Sequence, residues 1–487
     1  MPDIFVSKIN ATWAHIKCES GIAHELYEHF TYYVDGYQWS PKYKYGAWDG
    51  KIHEFQLSKH LIRAGLYQEL KKFAKERDYS FEDDGKFGYT EFSVAEAKEF
   101  IETLNLPEQY QVRDYQIKAF VTAIREGRDI QISPTASGKS LIIYLIARYY
   151  EMKTLILVPT IGLVSQMYGD FKEYGYEGEI HTIQAGSKKN SKCDFHISTW
   201  QSVYKESPDY FDQYDVIIGD EVHLFAASSL KGIMDKSKNA QYRFGFTGTL
   251  SGSKTHETCL IGLFGKIHQV TTTVELMEQG HIADFKIKGL LLKYPEHVRS
   301  ANKKLTYQEE VKFLITCPER NRFIRNLIIS LKGNTLVLFR HIEHGKFMFE
   351  ETKKKLGSDS KRKVFYIAGS SDADEREAVR KIIEIETDAI IFGSRGTMST
   401  GSNTKSLHNL VFASPSKSKI STLQSIGRSL RKSKTKEAAI LYDIADDLHW
   451  KSKLNYTLDH FKERVKIYMQ EKFKFKLYEI DLTVKEQ

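Results

Sequence analysis

Gln131-Ile132-Ser133-Pro134-Thr135-Ala136-Ser137-Gly138-Lys139-Ser140 decides how the chain is read. Asp129–Ser133 reads as a short buried strand and Lys139–Tyr150 (KSLIIYLIARYY) as a buried helix. The turn between them matches the phosphate-binding pattern G-x-x-x-x-G-K-[ST], with Ser133 in the place of the first glycine. In such a turn, inward-facing backbone N–H groups of Thr135, Ala136, Ser137 and Gly138 meet phosphate oxygens, helped by the positive end of the next helix. Gly138 permits close backbone approach. Lys139 is expected at the β and γ phosphates, and the Ser140 hydroxyl on Mg2+.

Downstream, apolar runs at Thr154–Val158, Asp194–Ser198, Asp215–Gly219 and Tyr242–Phe246 alternate with helical stretches. Short β-branched runs between helices predict a parallel sheet covered on both faces, with ligands at the carboxyl ends of the strands. There Asp220 and Glu221 follow the fourth strand: Asp220 is expected to hold Mg2+ and Glu221 to orient or deprotonate a water. About twenty residues before the phosphate loop lies Val112–Gln116; there Gln116 is expected to read an adenine with one amide as donor and acceptor, with Arg113 beside it. The strand-end segments Val158-Pro159-Thr160 and Ser198-Thr199-Trp200-Gln201 suit a nucleic-acid backbone, because hydroxyls and amides contact phosphate without reading sequence. Simpler readings stay open: Pro159 starting a helix, and Trp200 in the core.

The series SPTASGKS, VPT, ISTWQS, DEVH and TGT is similar to the first half of superfamily-two helicases, and the resemblance spans nearly all of residues 110–445. A second series of apolar runs, Leu336–Phe339, Val364–Ile367, Ala389–Phe392, Asn409–Ala413 and Ala438–Tyr442, predicts a second parallel sheet. It carries Thr400-Gly401-Ser402, a further backbone grip, and Gln424-Ser425-Ile426-Gly427-Arg428-Ser429-Leu430-Arg431, which resembles the family's Q-x-x-G-R-x-x-R helix. Arg428 and Arg431 share a helix face at i and i+3 spacing. The resemblance implies that they meet the γ-phosphate of ATP opposite Lys139, with Gln424 alongside, so that two facing lobes share one nucleotide and hydrolysis depends on their closure.

The flanks are read separately. Residues 1–90 form a candidate small α/β module: extended Asp3–Cys18, a helix over Gly21–Val34, a turn at Asp49-Gly50 and a second helix over Leu61–Arg77. Its loop interleaves Tyr37, Trp39, Lys42, Tyr43, Lys44, Tyr45 and Trp48, a pattern suited to nucleic acid through Lys42, Lys44 and Trp48; these rings equally suit the core of a small module. Trp450–Gln487 reads as a helical tail with a basic face. The predicted fold is α/β: two tandem RecA-like parallel-sheet domains (91–283 and 284–449), the N-terminal module (1–90) and a short C-terminal helical extension (450–487).

The 487 residues carry a net charge of +8, which permits a polyanionic partner without requiring one. The 4 cysteines lie far apart with no C-x-x-C, which argues against structural zinc and fits a reducing compartment. No membrane span or signal peptide is expected. Within the superfamily, the aromatic module and the whole organisation resemble the recombination helicases of T-even phages. That resemblance implies ATP-driven branch migration, fork regression and R-loop unwinding on branched or duplex DNA and RNA–DNA hybrids. It also implies the cytoplasm of an infected bacterium; a monomer is favoured, with a single-stranded-DNA-binding protein as a candidate partner. An RNA helicase and an ATP-gated clamp that does not unwind are the alternatives.

Overall fold

The computed structural model describes residues 2–184, 186–225, 228–250, 252–367, 385–394, 407–414 and 438–483. The chain divides into two compact units, Met1–Thr271 and Thr272–Gln487.

The first unit holds a seven-stranded sheet in the order Ile180–Ile183, Phe195–Thr199, Thr154–Val158, Val216–Asp220, Tyr242–Thr247, Arg128–Ile132, Lys266–Gln269. Every adjacent pair is parallel, so the loops after these strands emerge along one edge. The helix Lys139–Tyr150 lies where the sequence places it. Its residues Leu141 to Ala147 are all buried, because it is packed between the sheet and the helices Asp114–Glu126 and Ile161–Glu173. Helix starts follow local chemistry: Ser93 and Glu96 form the expected capping box of Val94–Thr103. Thr160 caps Ile161–Glu173 by accepting from the Leu163 N–H.

The amino-terminal part of this unit is a five-stranded sheet in the order Phe55–Gln56, Leu61–Arg63, Trp13–Cys18, Ile4–Lys8, Phe81–Asp83, with the helices Ser20–His29 and Tyr67–Glu76 over its core. Two expected helices are shorter than their patterns suggest. The first stops at His29, and Thr31–Tyr33 pairs antiparallel with Lys51–His53. Leu61–Arg63 is a strand against Trp13–His15, and the second helix begins only at Tyr67. In both places, β-favouring residues gain a cross-strand partner that local spacing does not reveal.

This module is fixed to the seven-stranded domain through a desolvated seam. Arg63 lies between Glu54 (Nε to Oε2, 3.0 Å) and Asp235, which it grips with two guanidinium nitrogens. Arg243, fully buried, donates to Thr12 Oγ1 (2.9 Å) and to the carbonyls of Ala240 and Ser237. A Cβ on Gly65 would sit 2.1 Å from the Ile261 carbonyl oxygen, so only glycine allows this approach.

The second unit is a parallel seven-stranded sheet in the order Val364–Ile367, Ile390–Ser394, Thr335–Phe339, Asn409–Phe412, Ala438–Asp447, Asp284–Lys293, Lys474–Asp481. The carboxyl-terminal stretch is helical over Tyr456–Gln470 and then adds the edge strand Lys474–Asp481. Its expected basic face is smaller than the sequence suggests. Arg464 is buried and grips Asp443 with two bonds of 2.8 Å, and Phe473 is buried. Lys462, Lys466, Lys472, Lys474 and Lys476 are exposed. Glu310 anchors the start of this helix by accepting from the N–H groups of Tyr456 and Thr457.

Candidate nucleotide site

The loop Ser133–Ser140 leaves the carboxyl end of the strand Arg128–Ile132 and enters the helix Lys139–Tyr150. Ser133, the departure from the usual glycine, is buried, and its hydroxyl meets that of Ser137 at 2.6 Å. Ser137 Oγ also reaches the Pro134 carbonyl at 2.7 Å, so the two serines close the loop from within. Ala136 and Gly138 have φ of 70° and 79°, the left-handed region. At Gly138 the need for glycine is doubled, because a Cβ would lie 2.4 Å from Gln116 Nε2.

Lys139 Nζ donates to the Ser133 carbonyl at 3.2 Å, folded back over its own loop. Asp220 ends the strand Val216–Asp220 and is buried. Burial, then the neighbouring Glu221 carboxylate, raise the pKa of Asp220, while the Lys139 ammonium opposes them. A buried carboxylate crowded by a second one, next to a hydroxyl-bearing phosphate loop, is an oxygen donor set that suits Mg2+. Ser140, the expected hydroxyl ligand, contacts Tyr174 OH at 2.8 Å. Glu221 sits at φ 54°. Its Oε2 lies 3.3 Å from His223 Nδ1, which is 3.0 Å from Thr247 Oγ1, and Thr247 donates to the Thr249 carbonyl at 2.9 Å. The DEVH and TGT loops are therefore physically joined.

Gln116 is brought to the loop, but its amide is occupied internally. Nε2 donates to the carbonyls of Ser137 (3.0 Å) and Gly138 (3.4 Å), and Oε1 accepts from the Arg113 N–H. In this conformation it braces the phosphate loop instead of presenting both edges outward. Arg113 donates to Tyr115 OH at 2.8 Å, and Tyr115 donates on to the Ser137 carbonyl. Tyr115 and Tyr174 were not legible as site residues: each is an ordinary apolar-face tyrosine until the fold brings its hydroxyl to the loop.

The expected backbone grips divide. Ser198 and Thr199 are buried, with their hydroxyls bonded to the Thr199 carbonyl and to Ser202 Oγ. Thr160 caps its helix, and Gln201 reaches the Pro159 carbonyl at 3.3 Å. Trp200 is half-buried on the core, edge-on to Tyr204. In the amino-terminal loop, Lys42 and Lys44 are exposed. Trp48 is half-buried and donates to the Lys51 carbonyl. Trp39 and Tyr45 are 79% and 86% exposed, while Tyr37 stacks on Tyr33 at 4.6 Å. Thr400, Gly401, Gln424, Arg428 and Arg431 lie outside the described residues.

A parallel sheet whose carboxyl edge brings a lysine-bearing phosphate loop beside the buried Asp220 and the half-buried Glu221 defines the phosphate-loop nucleotide-binding class of α/β proteins. Residues 3–84 match the family described as DNA helicase UvsW, N-terminal, and residues 109–252 match Type III restriction enzyme, res subunit. The chain is 34% identical to the ATP-dependent DNA helicase uvsW of Enterobacteria phage T4, over 99% of this chain and 100% of that one. The crystal structure of T4 UvsW superposes with a TM-score of 0.52 at 32% identity, covering 99% of this chain and 100% of that one. The DNA 3'-5' translocase XPB2 of Sulfurisphaera tokodaii is 26% identical over 48% of this chain and 50% of its own. The chain belongs to the UvsW family of ATP-dependent DNA helicases. Among the described residues, no helix is long and apolar enough to cross a membrane.

Proposed function

We propose that this helicase uses Mg2+-bound ATP to move on branched DNA, driving branch migration, fork regression and the unwinding of RNA–DNA hybrids. The observation that carries the ATP chemistry is the convergence of Lys139, Ser140 and buried Asp220 at one sheet edge. In this reading the backbone N–H groups of 135–138 cradle the phosphates and Lys139 leaves the Ser133 carbonyl for the β and γ phosphates. Ser140 and Asp220 would hold Mg2+, which would supply neutralisation of the phosphate charge. Glu221, aimed by His223, orients the attacking water. Gln424, Arg428 and Arg431 act on the γ-phosphate, a role supported by their Q-x-x-G-R-x-x-R pattern alone.

The preference for branched DNA is supported by full-length similarity to a phage helicase and by the exposed aromatic-basic loop beside Lys42 and Lys44. Exposed rings stack on unpaired bases, and lysines neutralise phosphates. The protein is proposed to act as a monomer in the infected host's cytoplasm, with a single-stranded-DNA-binding protein as an auxiliary. Stimulation of ATP hydrolysis compared across single-stranded DNA, duplex DNA, fork, four-way junction, RNA–DNA hybrid and duplex RNA tests the assignment. Fork and junction are expected to stimulate most; equal stimulation by plain duplex RNA contradicts it.

A further inference from the structure

The helix Lys254–Leu263 lies between the nucleotide site and the amino-terminal module and touches both. On one side, His256 Nε2 contacts the backbone carbonyl of His223 at 2.7 Å. A carbonyl only accepts, so Nε2 carries the proton. His223 is the residue whose ring holds Glu221 and Thr247. On the other side, Thr255 Oγ1 donates to the Tyr33 carbonyl at 2.7 Å, and Lys254 Nζ lies 5.3 Å from the centre of the Tyr32 ring. Tyr33 stacks on Tyr37 and has Lys51 Nζ 4.8 Å from its ring centre, so this half-exposed ring packs directly against the aromatic-basic loop. The far end of the helix meets Gly65 at its Ile261 carbonyl, next to the buried Arg63–Glu54–Asp235 cluster.

The contacts are continuous from Asp220 to Tyr37, and adjacent residues of one helical turn make both central ones. We propose that His256 is a positioning residue, and that the helix carrying it transmits the state of the Asp220-Glu221 turn to the nucleic-acid-binding loop. The inference rests on the nucleic-acid role proposed above for that loop. Its mechanism is simple. When Glu221 and His223 shift on nucleotide binding, the His223 carbonyl carries His256 with it, and Thr255 moves Tyr33. Because the far end of the helix is held in the seam against Gly65 and Arg63, the shift is confined to its Thr255–His256 end and reaches the loop through Tyr33. Such a connection must be reciprocal: nucleotide changes DNA affinity by the same factor as DNA changes nucleotide affinity.

The test measures that factor in the full chain, as the dissociation constant for a forked oligonucleotide with and without a non-hydrolysable ATP analogue. Wild-type protein is expected to show a factor of about 5 or more, the ordinary range of such linkage. His256→Ala and Thr255→Val break opposite ends of the connection, and each is expected to bring the factor to within about twofold of unity. DNA-free ATP hydrolysis should stay near wild type in Thr255→Val, whose contact lies on the loop side. His256→Gln, which keeps a donor near the Nε2 position, should restore most of the factor. A factor of unity in the wild type, or a wild-type factor in Thr255→Val, overturns the proposal. So does His256→Gln behaving like His256→Ala. A Lys42→Ala/Lys44→Ala variant separates the two layers. If it binds the fork normally, the loop's nucleic-acid role fails and the connection fails with it. If it binds weakly while both helix variants keep the wild-type factor, the connection alone fails.

Discussion

The hydroxyl of Ser140 lies 2.8 Å from that of Tyr174, so the proposed Mg2+ ligand is engaged by the residue that ends a neighbouring helix. With Tyr174 as the donor, metal binding competes with this bond, whose net worth is about 0.5–1.5 kcal/mol. Tyr174→Phe is therefore expected to lower the Mg2+ concentration for half-maximal ATP hydrolysis by about 2–10-fold. Ser140→Ala should abolish the Mg2+ response. An unchanged Mg2+ requirement in Tyr174→Phe removes the proposed competition.

Arg63→Ala should cost far more stability than an ordinary surface change. It leaves Glu54 buried, with Lys231 as a more distant cation at 3.5 Å, and strips Asp235 of its two-pronged partner. Removing one member of a buried pair costs about 3–5 kcal/mol. Urea unfolding of the full chain reads this directly, and a loss below about 1 kcal/mol contradicts a desolvated seam. For the same reason, deleting residues 1–90 is a poor test of the module's DNA role. It would also strip Arg243 of Thr12 and Arg128 of the Ala11 carbonyl.

Asp129 gives stability a specific pH dependence. It is fully buried, and burial raises its pKa to about 8, partly opposed by the hydrogen bond from Gln131. The unfolded carboxyl titrates near its model-peptide value of about 3.9. Between these values the folded chain binds more protons than the unfolded one, so this group's contribution falls as pH rises through that window. Asp129→Asn is expected to flatten the decline and to raise the unfolding midpoint at pH ~8.5 relative to wild type. Parallel curves for the two proteins across that range would exclude the effect.

The parts legible in the sequence are those whose own composition forces one answer. Lys139–Tyr150 is apolar on every face and Thr154–Val158 is an unbroken buried run; both fall where the pattern puts them. The edge strands Ile180–Ile183 and Lys266–Gln269 carry histidine, lysine and glutamine, because one side of an edge strand faces solvent, so they have no apolar signature. The strand-end positions of Lys139 and Asp220 follow from the alternation of strand and helix. The side-chain partners at the site do not. Gln116 turned onto the loop backbone, Ser198 and Thr199 turned inward and Ser140 held by Tyr174 all depend on partners distant in the chain. His256 carries no motif at all, and only the fold places it against His223.

The most direct measurement is steady-state ATP hydrolysis by wild type and Lys139→Ala, with and without forked DNA, alongside fork binding by both. The wild type should be stimulated by the fork. Lys139→Ala should bind the fork with near-normal affinity and hydrolyse no ATP above background. An unchanged turnover rate in Lys139→Ala would contradict the assignment of this loop as the site where ATP is held and spent.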